Sequence, residues 1–147
     1  MVNSDLDADD QALLAAALAV RKNAHAPYSG YYVGAAVRGA SGRVYTGCNV
    51  EISSFSHTCC AERVAAFTAI SAGEARIVAV AVAVDDDPPA SPCGACRQVL
   101  HDLGPDMHVI LGNLQGDVRV HALRALLPEG FSPDRVLRVM EQRKSGG

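Results

Sequence analysis

The sequence predicts an α/β fold, a three-layer α-β-α sandwich with a mixed sheet of about five strands. Three observations lead to this prediction. Residues 31–49 form two strand-like runs around a glycine-bounded turn, which indicates an antiparallel hairpin. Residues 77–84 alternate Val and Ala without a charge, as expected of a central strand covered on both faces. Helix-patterned segments separate the strands, which favours helices on both faces of the sheet.

The first element is a helix that runs to about Asn23, because apolar residues recur at helical spacing after the acidic stretch 5–10. Pro27 and Gly30 end it, and the two hairpin strands follow. The remaining elements continue these periodicities: a helix over 61–70, the strand 77–84, a helix over 93–103, strands over 107–111 and 118–120, and a helical turn over 122–127. We expect one domain over residues 1–131 and a polar C-terminal tail over 132–147.

Composition narrows the class of protein. The formal net charge is -3 and aromatic residues make up 5%, so the chain lacks the basic, aromatic-rich surface expected of a polynucleotide binder. The acidic opening does not resemble a secretory signal, and no apolar run reaches membrane-spanning length. Five cysteines, an odd number, argue against a disulfide framework. We therefore expect a cytoplasmic protein that binds neither nucleic acid nor membrane and uses cysteine for metal or thiol chemistry.

Three of the cysteines have the spacing of a zinc site. Cys60-Ala61-Glu62 precedes Pro92-Cys93-Gly94-Ala95-Cys96 by about thirty residues. Three thiolates leave the fourth position of a tetrahedral zinc ion to a water, whose pKa the ion lowers. Glu62 stands two residues past the first ligand and can move that water's protons. This order of residues is the signature of the zinc deaminases that act on nucleobases.

Two alternatives concern the surroundings of the three thiols. His57 could act as a fourth ligand and close the site into a structural clip, although the adjacent Glu62 favours an open catalytic site. Three thiolates and one divalent ion carry a net charge of -1, which Arg63 and Arg97 could offset. For Arg97, a role as an ordinary surface charge is about as plausible as this charge compensation. For Arg63, the surface role is less plausible than the compensation.

Beyond these motifs, the chain resembles the small homotetrameric cytidine deaminases over nearly its whole length. The matching segments are Pro27-Tyr28-Ser29, Val33-Gly34-Ala35-Ala36, Gly47-Cys48-Asn49-Val50-Glu51, Cys60-Ala61-Glu62-Arg63, 91–100 and 126–131. The resemblance implies one Zn²⁺ per subunit and a homotetramer with composite active sites.

The same resemblance implies roles for residues that line the substrate site. Asn49 and Glu51 are expected to bind the ribose 3'-hydroxyl. The Ala61 amide and the Ser91 carbonyl are expected to read the pyrimidine edge, and Phe131 to cover the base of a neighbouring subunit.

The implied reaction is the hydrolytic deamination of cytidine or 2'-deoxycytidine in pyrimidine salvage, with Glu62 as general acid and base. The family usually has Phe at Tyr31 and Asn at Ile52, and Tyr31 is expected to alter the wall beside the base. A deaminase of a modified nucleoside such as blasticidin S is the nearest alternative. A nucleic-acid editing enzyme and a non-catalytic zinc-stabilised interaction module are the others.

Overall fold

The computed structural model describes residues 5–146, so the first four residues of the acidic opening and the last residue of the predicted tail lie outside it. One five-stranded sheet has the order β2-β1-β3-β4-β5. Strands β3 and β4 are parallel, whereas the other neighbouring pairs are antiparallel. The elements are α1 Ala8–Val20, β1 Gly34–Gly39, β2 Val44–Cys48, α2 Ala61–Ser71, β3 Ile77–Val84, α3 Gly94–Leu103, β4 His108–Asn113, β5 Val118–Ala122, α4 Leu123–Leu126 and α5 Pro133–Ser145.

Strand β3 shows how the three layers form. Successive side chains of a strand point to opposite faces of its sheet. The alanines 79, 81 and 83 belong to the core that packs under α1, whereas the valines 80, 82 and 84 belong to the core under α2 and α3. Helices therefore cover both faces of the mixed sheet. The predicted α-β-α sandwich is confirmed.

Helix α2 lies close to strand β2 because Gly47 has no side chain. A Cβ atom at this position would stand 2.4 Å from the backbone nitrogen of Ala65 and 2.8 Å from the carbonyl oxygen of Ala61. These distances are shorter than van der Waals contact, so only glycine permits the observed approach. Gly47 thereby helps to set the position of the helix start that carries Glu62.

Two differences from the sequence prediction have physical causes. Strand β1 begins at Gly34 rather than at Tyr31, because the Asn49 side chain bonds to the main chain of residues 31–33. The residues after 132 form α5, which the sequence analysis did not assign. Three sequence features indicate this helix: Pro133 in the first turn, Asp134 beside it and basic residues in the last turn.

None of the described helices combines the length and the apolar character needed to cross a membrane.

Candidate active site

Three cysteine sulfurs meet where α2 and α3 begin. The Sγ atoms of Cys60, Cys93 and Cys96 all lie within 4.8 Å of one another, and those of Cys60 and Cys93 are 3.9 Å apart. Thiolates bound tetrahedrally to one zinc ion at about 2.3 Å would be roughly 3.8 Å apart. The cluster therefore fits a zinc ion. Within residues 5–146, no fourth His, Cys, Asp or Glu joins it, and the exposed His57 instead contacts Ser56 Oγ at 3.3 Å.

The local fold favours thiolates at these positions. Cys60 and Cys93 are the N-cap residues of α2 and α3, where unpaired amides and the helix dipole stabilise negative charge. Hydrogen bonding to Cys96, with a further contribution from Arg63, lowers the pKa of Cys60 to about 5. The same bond to Cys60, together with burial, raises the pKa of Cys96. A bound metal ion would take both sulfurs as thiolates, so metal binding releases their protons.

Glu62 is the buried carboxyl group beside these sulfurs. It is the second residue of α2 and only 5% of its surface is exposed. Burial is the main reason why its pKa is raised from 4.5 to about 7. A carboxyl group with a pKa near neutrality can both accept and return a proton at working pH, which is what general acid and base catalysis requires.

A cleft of about 340 Å³ opens beside the cluster, which is within the size range of small-molecule sites. Its polar lining includes Cys60, Glu62 and Cys93 from the starts of α2 and α3, and Asn49 and Glu51 from the segment after β2. The carboxyl end of β3 adds an apolar wall. No Lys or Arg of the described chain lines this cleft. It can therefore hold a neutral, partly apolar molecule that also carries polar groups.

The comparison with known proteins agrees with this geometry. The family model described as the cytidine and deoxycytidylate deaminase zinc-binding region matches residues 7–112. A cytidine deaminase of Halalkalibacterium halodurans is 46% identical, and the match covers 86% of this chain and 96% of that protein. This chain belongs to the cytidine and deoxycytidylate deaminase family. The expected zinc cofactor and deaminase class are confirmed.

Other members of the deaminase family match at similar coverage. The cytidine deaminase of Sporosarcina psychrophila is 43% identical over 91% of this chain and 99% of that protein. The crystal structure of the Burkholderia pseudomallei cytidine deaminase has a TM-score of 0.79 and 49% identity, and the match covers 82% of this chain and 97% of that one. The likeness therefore extends to the fold around the site.

In this deaminase the two arginines near the ligands have different surroundings. The Arg63 Nη2 atom lies 3.5 Å from Cys60 Sγ, so its positive charge faces the thiolate cluster. The Arg97 guanidinium instead donates to backbone carbonyls and a hydroxyl. The geometry supports the predicted charge compensation for Arg63. The bonds of Arg97 to neutral groups indicate a role other than charge compensation.

The side chains of Asn49 and Glu51 both line the cleft and also hold the segment 28–33. Asn49 Nδ2 donates to the Tyr31 carbonyl at 2.7 Å, and its Oδ1 accepts from a backbone amide at 2.9 Å. Glu51 accepts from the amide and the hydroxyl of Ser29 at 3.1 and 2.5 Å. One Nδ2 hydrogen and part of the carboxylate remain able to bind a ligand. Their contact with a ribose hydroxyl stays a prediction.

Tyr31 lines the cleft as predicted, and its hydroxyl donates to Asp86 Oδ2 at 3.3 Å. Burial, followed by the charge of Asp86, raises the pKa of Tyr31. The sequence analysis did not select Asp86. The sequence feature that could have indicated Asp86 is its position in an Asp-rich loop directly after the buried strand β3. Binding and catalytic residues often lie on such loops.

The remaining three predicted contacts lie in three different places. Ala61 begins α2 between Cys60 and Glu62, so its amide is one of the unpaired groups at the helix start. Ser91 lines the cleft. Phe131 is 59% exposed and is not among the residues that line the cleft of its own chain.

Proposed function

We propose that this enzyme hydrolytically deaminates cytidine and 2'-deoxycytidine to uridine and 2'-deoxyuridine, with release of ammonia. The observation that carries the proposal is the cleft itself. Cys60, Cys93 and the buried Glu62 line it from the starts of α2 and α3, where Cys96 completes the thiol cluster, and Asn49 and Glu51 form a second polar group from the segment after β2. A cytosine nucleoside has a reactive amino carbon and a sugar at opposite ends, which suits these two groups.

The proposed mechanism assigns proton transfer to one side chain. Cys60, Cys93 and Cys96 hold the zinc ion, which when bound lowers the pKa of water and so supplies a nucleophile near neutral pH. Glu62 accepts a proton from the attacking water and delivers it to ring N3. It then accepts the second proton from the hydroxyl now bound to C4 and delivers it to the departing amine, which leaves C4 as a carbonyl. One water is consumed for each ammonia released. Arg63 offsets the negative charge of the thiolates from its position 3.5 Å from Cys60 Sγ.

The charge of the cleft supports a nucleoside rather than a nucleotide. The family includes enzymes for cytidine and for deoxycytidylate, and the second substrate carries a phosphate. Phosphate binding in proteins uses Arg, Lys or a cluster of backbone amides. In the described chain, the charged side chains that line the cleft are Glu51 and Glu62, and Asp86 lies next to it. An anionic substrate is therefore disfavoured.

The proposal extends to assembly and location. We infer one Zn²⁺ per subunit in a cytoplasmic homotetramer with composite sites, acting in pyrimidine salvage. Phe131 is largely exposed and absent from the cleft of its own chain, which supports its use in the site of a neighbouring subunit. Large apolar side chains at Phe67 and Ile70 on the outer face of α2 are also exposed and suit subunit contacts.

A modified cytosine nucleoside such as blasticidin S is a second candidate substrate. The observation in its favour is the Tyr31 hydroxyl, which adds a polar group to a wall that is otherwise apolar. A hydrogen-bonding group at this wall changes which substituents the site accepts.

Incubation of the purified zinc-loaded enzyme with a panel of substrates tests the proposal. The panel is cytidine, 2'-deoxycytidine, cytidine 5'-monophosphate, blasticidin S and a cytosine-containing oligonucleotide. Ammonia release and the change in base absorbance are followed, with Glu62→Gln as the inactive control. We expect the two nucleosides to be deaminated with a kcat/KM at least about 100-fold above that of the monophosphate. Faster turnover of the monophosphate or the oligonucleotide contradicts the nucleoside assignment.

A further inference from the structure

Arg97 joins two segments that are distant in sequence. It lies on α3 directly after the ligand Cys96 and is half-buried. Its Nε donates to the Pro92 carbonyl at 2.8 Å and its Nη2 to the Ser91 hydroxyl at 2.8 Å. On the other side, Nη1 donates to the Leu126 carbonyl at 2.7 Å. One planar group thus binds both the loop before Cys93 and the end of α4.

The next residue of α3 extends the same connection. Gln98 Nε2 donates to the Phe131 carbonyl at 2.9 Å and to Asp102 Oδ1 at 2.8 Å. The segment 126–131 is therefore held at its first residue by Arg97 and at its last by Gln98. Between these points the segment has a short turn of its own, in which the amide of Gly130 donates to the Leu127 carbonyl.

We infer that Arg97 is a positioning residue, whose guanidinium clamps the cleft residue Ser91 and the segment 126–131 to the ligand-bearing helix α3. The inference rests on the proposed function for its effect on substrate binding. The clamp fixes Ser91 relative to Cys93 and holds Leu126 against α3, while the bond from Gln98 to the Phe131 carbonyl holds the other end of the segment. Its action depends on the shape of the guanidinium more than on its charge, because all three acceptors are neutral.

Substitution by lysine separates shape from charge. A lysine ammonium keeps the positive charge but concentrates its donors at one point, so it cannot reach three acceptors arranged around a planar fork. If Arg97 only balanced the thiolates, Arg97→Lys would retain wild-type properties. At Arg63, where charge is the proposed contribution, lysine is expected to preserve more activity than glutamine does.

The test compares Arg97→Lys and Arg97→Gln with wild type in the zinc-loaded enzyme. We expect both variants to keep full zinc content and a kcat within about twofold, and to raise KM for cytidine about tenfold. Arg124→Lys is the matched control, since Arg124 is exposed and pairs with Asp106 away from the cleft, and it should match wild type. Wild-type KM in Arg97→Lys, with Arg97→Gln alone impaired, overturns the inference.

Amide hydrogen exchange gives a readout that does not depend on turnover. Loss of the clamp should accelerate exchange at Leu127 and Gly130 at least about fivefold in both Arg97 variants, while β3 keeps its protection. Unchanged exchange there contradicts the inference. If wild type deaminates no cytosine nucleoside, the proposed function fails, yet the exchange data still decide the clamp.

A second variant covers the case in which the Arg97 variants do not fold. Ser91→Ala removes only the acceptor of Nη2, and we expect KM to rise about threefold with faster exchange at Gly130. Unchanged KM and exchange in Ser91→Ala would count against the clamp.

Discussion

Replacement of Glu62 by glutamine should lower turnover and raise the stability of the zinc-free protein. The amide has nearly the same shape as the carboxyl group but cannot exchange protons in this role. General acid and base catalysis contributes about 10²- to 10⁴-fold to a rate. We therefore expect kcat to fall at least about 100-fold with zinc content unchanged, as measured by ammonia release and metal analysis.

The stability change follows from the burial of Glu62. Its pKa rises from 4.5 to about 7 in the folded protein, which at about 1.4 kcal/mol per pKa unit corresponds to about 3 kcal/mol. Between these two pH values the unfolded chain releases this proton before the folded one, so stability falls as pH rises. Below pH 4.5 both states are protonated and the cost is absent. Above pH 7 the cost is complete.

Urea unfolding of the reduced, zinc-free proteins measures this difference. Glu62→Gln should be as stable as wild type near pH 4.5 and more stable by about 3 kcal/mol near pH 7.5. Glu51→Gln is the matched control. Hydrogen bonds from Ser29 lower the pKa of Glu51, so its glutamine variant should gain no stability as pH rises. A Glu62→Gln protein without a pH-dependent gain, or with retained turnover, would refute the reasoning.

Three further predictions concern the cluster, the sheet and the cleft wall. Cys96→Ser should lose nearly all bound zinc and lower the Tm, and metal analysis with thermal unfolding checks this; full zinc retention would contradict the ligand assignment. Gly47→Ala should destabilise by about 3 kcal/mol in urea unfolding because its Cβ meets the α2 backbone, whereas the exposed Thr46→Ala should change little. Tyr31→Phe should raise KM for cytidine about two- to threefold with kcat retained. Tyr32→Phe is the control, and a Tyr31→Phe enzyme whose KM is unchanged and equal to that of the control would exclude a role for the Tyr31 hydroxyl.

Local spacing was sufficient to predict the metal ligands. Cys93 and Cys96 are three residues apart at the start of one helix, and Cys60 and Glu62 are two apart at the start of another, so each pair is placed by a single helical turn. The strand over 77–84 was predicted with its observed bounds, since a run of small and β-branched residues without charge has few other structures available.

The sequence by itself determined the order of the elements as far as α4, the three-layer fold class, the zinc ligands and the neighbouring carboxyl group. Only the tertiary structure decided the partners of long side chains, such as the bond of Tyr31 to Asp86 and the three bonds of Arg97. The reason is that secondary structure follows from periodicities within a few residues. A guanidinium or a phenol can reach groups that are distant along the chain, and the packing of the whole domain selects among them.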